Sequence, residues 1–227
     1  MTYLTCINIR LLDLEKAVGK RLAFLDSYAW HKKIWDCFPG ASDQKRDFLS
    51  RTDDLEGAIR IWILSARQPT WPPWCPDGSF STKKISDTFL THKHYIFDIK
   101  VNPIITITQK ENDSDSPQMR KNGKHTLNKR VPIMAKNDLR IWIDRKAEQN
   151  GFTVSKIRPL EIGPVAEIRF NKKNSKGERN SGCHASVVFR GALEVTDREK
   201  FIKAYVSGIG SAKAFGFGLL LLAPLKS

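Results

Sequence analysis

An α+β fold in two halves is what this 227-residue chain predicts, on three observations. Apolar segments of strand length and of helix length follow one another. Proline and glycine clusters separate them. The second half restarts the order of the first. In the first half, residues 3–12 alternate loosely (Tyr3, Thr5, Ile7, Ile9, Leu11) and read as a strand. Residues 21–37 read as a helix stopped at Phe38-Pro39-Gly40, because proline and glycine cannot continue it. Residues 60–65 form a strong strand. Residues 69–78 carry four prolines and must be a loop, and 83–89 read as a short strand.

In the second half, residues 95–101 and 104–108 read as one strand broken at Pro103. Residues 113–128 are polar and basic, without a regular pattern. A helix is expected over 138–149, with Leu139, Trp142, Ile143 and Ala147 on one face. Strands are expected near 154–160, 165–170, 185–193 and 219–222. A helix over 197–206 has Thr196 as its expected N-cap and Glu199 in the capping-box position. The second half is thus a βαββαβ unit, and the first reads as strand, helix, strand and strand. That is the ferredoxin-like, or RRM-like, topology. Two such domains in tandem, over 1–90 and 91–227, fit the length.

The net charge of +14 is placed unevenly. Residues 1–90 hold 13 Lys/Arg against 11 Asp/Glu, and residues 91–227 hold 25 against 13. The second half therefore asks for a polyanion, and nucleic acid fits better than membrane because no apolar span or basic amphipathic anchor occurs. The N-terminus has no export-signal pattern, so a cytoplasmic protein with reduced core thiols at Cys6, Cys37, Cys75 and Cys183 is expected. His92-x-His94 and Cys183-His184 make poor zinc geometry on extended segments, so no metal and no cofactor are expected.

Two motifs carry the chemistry. Tyr28-Ala-Trp-His31 puts a phenol and an imidazole three residues apart, on one side of a helix. Phe24, Tyr28, His31, Trp35 and Phe38 also have core spacing, which favours a packed histidine if periodicity is taken alone. Near the C-terminus, Gly208-x-Gly210 and Gly216-x-Gly218 flank Lys213 and run into an apolar strand. Such a loop can offer N–H groups and a cation to phosphate. It is not the nucleotide P-loop, which needs Gly-Lys-Ser/Thr and a following helix. Residues 120–146 hold nine basic and two acidic side chains. A second cluster, Lys172, Lys173, Lys176 and Arg179, falls between two strands. The aromatic signature of single-strand-binding RRM domains is missing.

The glycine-rich terminus, the helix that carries Tyr-x-x-His and ends at Phe-Pro, and Lys129-Arg130-Val131-Pro132 closely resemble the CasE family of type I-E (Cascade) CRISPR systems. The resemblance implies two ferredoxin-like domains. It also implies a metal-independent endoribonuclease that cuts CRISPR precursor RNA at the base of the repeat stem-loop, with His31 catalytic and Tyr28 assisting. It implies retention of the product as a Cascade subunit, beside the other subunits. RNA contacts are expected from Lys129, Arg130, Lys136, Arg140, Lys172, Lys173, Lys176, Arg179, Lys213 and the four loop glycines. A non-catalytic subunit binding the same hairpin is the alternative. The segment 11–21 is longer than the family pattern leads one to expect, and the insert 112–125 has no assigned role.

Overall fold

The computed structural model describes residues 1–18, 27–40, 46–109, 127–173 and 179–225. Two ferredoxin-like sheets organise it. In the first, β1 (Tyr3–Arg10), β2 (Phe48–Leu55), β3 (Ala58–Ser65) and β4 (Phe80–Lys84) lie in the order β2-β3-β1-β4, all antiparallel. That is the ferredoxin-like order. Ile7 faces Ile61 and Ile9 faces Ile59 across the central pair, and all four are buried.

Two helices follow β1. The long segment after it begins as α1 (Leu11–Val18), whose Leu14 is fully buried and whose Asp13 accepts from Arg10. The next, α2 (Ser27–Ile34), continues as a single 3-10 turn over Trp35–Cys37 before Phe38-Pro39-Gly40. The expected helix is met over 27–37, its last turn being 3-10, and residues 19–26 lie outside the described part. No helix separates β3 from β4. There the loop over 66–79 buries Trp74 edge-on to Trp30, ring centroids 5.9 Å apart. The strand expected over 83–89 is instead β4, five residues earlier at its end, followed by a single turn over Asp87–Thr91.

The second sheet has the same plan. The strands β5 (His94–Val101), β11 (Arg179–Val195) and β12 (Leu220–Pro224) run β11-β5-β12. The place of the outer strand beside β11 is shared by β8 (Phe152–Ser155), β9 (Glu161–Ile162) and β10 (Ala166–Lys173). Tyr95, Phe97, Ile99 and Val101 point into a core shared with α3 (Lys136–Gln149) and α4 (Arg198–Ser207). Pro103, which has no N–H to give a ladder, ends β5. The chain beyond it leaves the sheet as a separate ribbon of β6 (Ile104–Gln109) with β7 (Leu127–Pro132). Residues 110–126, which include the basic insert, lie outside the described part. The cap of α4 is Asp197, not Thr196: its carboxylate accepts from the Lys200 N–H at 3.1 Å. Cys37 and Cys75 are buried as expected, whereas Cys183 is exposed. Among the described residues, no helix is long and apolar enough to cross a membrane.

The two sheets are joined by packing and by ions. Leu49 and Leu64 of the first meet Tyr205 and Leu219 of the second in one buried cluster. Arg51, 3% exposed, donates to Asp53 of its own strand and to Asp98 of β5, and Lys100 donates to the Thr52 carbonyl at 2.8 Å. Buried charge of this kind persists only when paired.

Candidate active site

The glycine-rich loop lies against the first domain. All four of its glycines have positive φ, between 76° and 87°, and Ala212 joins them at 58°. Gly218 closes the neck of the loop. Its N–H donates to the Lys100 carbonyl at 2.8 Å and its carbonyl accepts from Ile209 at 2.9 Å, while a Cβ there would lie 2.5 Å from the Ile209 oxygen. Gly218→Ala should therefore destabilise the fold by more than about 3 kcal/mol, since backbone strain and a clash with backbone add. Gly57→Ala, also at positive φ but in open space, should cost only about 1 kcal/mol. Urea unfolding of both variants checks the difference, and equal losses would show that the neck is not closely packed.

Inside the loop, Lys213–Phe215 make a single turn that packs against α2 and β2, and β10 also touches α2. His31 is thereby brought to the junction of the two domains. It is 8% exposed, its ring lies 5.4 Å from that of Phe48, and its Nδ1 has no hydrogen-bond partner among the described residues. Burial, and secondarily the charge of Arg46, lower its pKa from 6.5 to about 4. The imidazole is neutral at physiological pH and can accept a proton. Tyr28 is on α2 one turn earlier; the structure describes its backbone.

Arg46 is a residue the sequence reading missed. It precedes β2 by two positions, is half-buried, and its charge bears on both His31 and Lys213. Burial lowers the pKa of both cations, and for Lys213 the nearby Arg46 adds to it. Among the described residues no carboxylate pairs with either. Two half-buried cations without a carboxylate partner among the described residues leave positive charge that an anion can neutralise. A lone basic residue in a polar loop gives no sequence signal of this.

Phe170 of β10 is the second omission. Its ring is 4.3 Å from Phe215 and 4.7 Å from His184, so the turn bearing Lys213 rests on an aromatic stack. His184 belongs to that stack, with Nδ1 3.3 Å from the Asn102 amide nitrogen. Among the described residues, no group of three or more His, Cys, Asp or Glu is placed to hold a metal.

The other expected contact residues that the structure describes are on elements other than α2. Lys129 and Arg130 are on β7, Lys172 and Lys173 at the end of β10, and Arg179 at the start of β11; Lys176 lies outside the described residues. Lys136 opens α3 and is exposed, while Arg140 is paired with Asp144 at 2.7 Å.

A family model described as CRISPR associated protein matches residues 2–224. The chain belongs to this CRISPR-associated family. The CRISPR system Cascade subunit CasE of Escherichia coli K12 is 29% identical to it over 214 residues, 93% of this chain and 99% of the relative. The CRISPR-associated endoribonuclease Cse3 of Thermus thermophilus is 31% identical over 103 residues, 42% of this chain and 47% of the relative. A solved structure of the CRISPR endoribonuclease Cse3 bound to a 19-nucleotide RNA superposes with a TM-score of 0.72 at 21% identity, over 98% of this chain and all of that one. The expected kinship and the two-domain ferredoxin-like fold of this CRISPR-associated protein are thus met.

Proposed function

We propose that the protein is a metal-independent endoribonuclease that cleaves CRISPR precursor RNA within each repeat, at the base of the stem-loop, and keeps the product as a subunit of Cascade. The observation that carries this reading is the buried His31 near the charge of Arg46, which also bears on Lys213 in the turn of the glycine-rich loop that packs against α2. RNA brings its own nucleophile. In the proposed reaction His31 takes the proton of the 2′-OH, the 2′-oxygen attacks phosphorus, and the P–O5′ bond breaks. A 2′,3′-cyclic phosphate and a free 5′-OH result. Lys213 and Arg46 balance the added charge of the phosphorane, and Tyr28 orients or protonates the departing oxygen. The family membership, and the relatives that are named as a Cascade subunit and as an RNA-cleaving enzyme, support the substrate class.

One observation favours the rival reading, a non-catalytic hairpin-binding subunit: His31 is 8% exposed and packed on Phe48. Incubation of the protein with end-labelled repeat RNA separates the two. A single cut at the stem base supports the nuclease; binding without a cut supports the rival.

The stem contacts are proposed for Lys129, Arg130, Lys136, Lys172, Lys173, Lys176 and Arg179, with Arg140 available if it releases Asp144. Replacing Lys172, Lys173 and Lys176 together with alanine should weaken hairpin binding and reduce the slope of log K against log salt by about two units, at roughly 0.7–0.9 per lost phosphate contact. Replacing Lys16 and Lys20, in the near-neutral first half, should do much less. Equal effects from the two sets would make the charge asymmetry a solubility feature.

A further inference from the structure

Beside the glycine-rich loop, on the side formed by α3 and the β6–β7 ribbon, lies a cleft of about 750 Å³. Arg130, Arg145 and Lys146 line it, and no acidic residue does. Arg145 and Lys146 stand close enough that the first depresses the pKa of the second, after burial, and among the described residues neither arginine has a carboxylate partner. Trp142 and Ile104 supply apolar wall. Asn102 lines it too: the residue is 4% exposed, its amide nitrogen lies near His184 Nδ1 and Ser211 Oγ, and its Oδ1 has no donor among the described residues. Gly210 and Ser211 form another wall, two residues from Lys213.

We infer that this cleft is a pocket for one unpaired nucleotide adjoining the repeat stem, its phosphate held by Arg145 and Lys146, with Arg130 at the stem side of the cleft, and its base edge donating an N–H to Asn102. The size and the chemistry both point that way. A paired stem cannot enter a pocket in the small-ligand size range, whereas a single nucleotide brings the negative charge the cleft lacks and the N–H donor that Asn102 lacks. Unpaired RNA is bound in this manner, by cations along the backbone and by groups that meet individual bases. A precursor cut at the base of its stem continues beyond it, so unpaired RNA is present at the adjacent loop. The inference rests on the proposed RNA substrate.

The test uses the whole protein and non-cleavable repeat RNAs with a 2′-deoxy nucleotide at the cut site. One is the bare hairpin; others carry the unpaired extension on the 5′ or the 3′ side. One extension should tighten binding by about tenfold. Arg145→Ala with Lys146→Ala should remove that gain and leave the bare-hairpin Kd within about twofold. An abasic nucleotide walked along that extension should reproduce much of the loss at a single position. No gain from either extension, equal weakening of both RNAs by the double variant, or indifference to every abasic position would each overturn the pocket. The nuclease reading fails differently: the wild-type protein would leave all-ribose RNA uncut while the extension still tightened binding. If the wild-type protein bound no repeat RNA at all, both would fall.

Discussion

His31→Ala should lose cleavage by roughly 10²- to 10⁴-fold while hairpin affinity stays within a few fold, because a proton-transfer group acts in the transition state rather than in binding. Tyr28→Phe should lose less, about 10- to 10³-fold. The pH profile makes the role specific. The free protein holds the His31 pKa near 4, and kcat/KM reports the free enzyme. If His31 is the base, single-turnover kcat/KM should fall on the acid side only below about pH 5 and be flat through neutrality, with no limb near 6.5. An acid limb near 6.5 that vanishes in His31→Gln would mean that the free imidazole is not held neutral by burial. The same shift has a stability consequence. A depressed pKa in the fold means the unfolded chain takes up the proton first, so this contribution is full above about pH 6.5 and is lost as pH falls towards 4. His31→Gln should lessen acid destabilisation in that window, as followed by urea unfolding at pH 4 and pH 7.

What the sequence made legible was periodic. Alternating Tyr95, Phe97, Ile99 and Val101 marked β5, and the apolar face of α3 was readable from Leu139, Trp142, Ile143 and Ala147. The glycine spacing announced a loop with special backbone angles, and all four glycines have them. The strand β2 was invisible for a physical reason. Its Ser-Arg-Thr-Asp-Asp core looks like a solvated turn, and Arg51 is buried within it because it finds Asp98 in the other domain, a partner 47 residues away. The same limit hid Arg46, whose importance lies in the two groups around it. It also blurred the basic run of residues 120–146. Arg140 and Arg145 look alike in sequence, yet one is tied to Asp144 and the other lines an acid-free cleft. The α4 cap moved by one residue because Asp197 reached the Lys200 N–H, a choice that adjacent Thr and Asp leave open.

The second large effect concerns the substrate. Attack by the RNA's own 2′-OH requires that one oxygen and no metal-bound water, so removing it should stop the reaction outright while the hairpin contacts persist. The direct measurement is single-turnover cleavage of end-labelled repeat RNA in excess EDTA, with either an all-ribose substrate or one carrying a single 2′-deoxy nucleotide immediately 5′ of the scissile phosphate. Attack by the 2′-OH predicts full cleavage of the first, leaving a 2′,3′-cyclic phosphate, and no cleavage of the second despite unchanged binding. Cutting of the deoxy substrate, or loss of all cutting in EDTA that added magnesium restores, would contradict it.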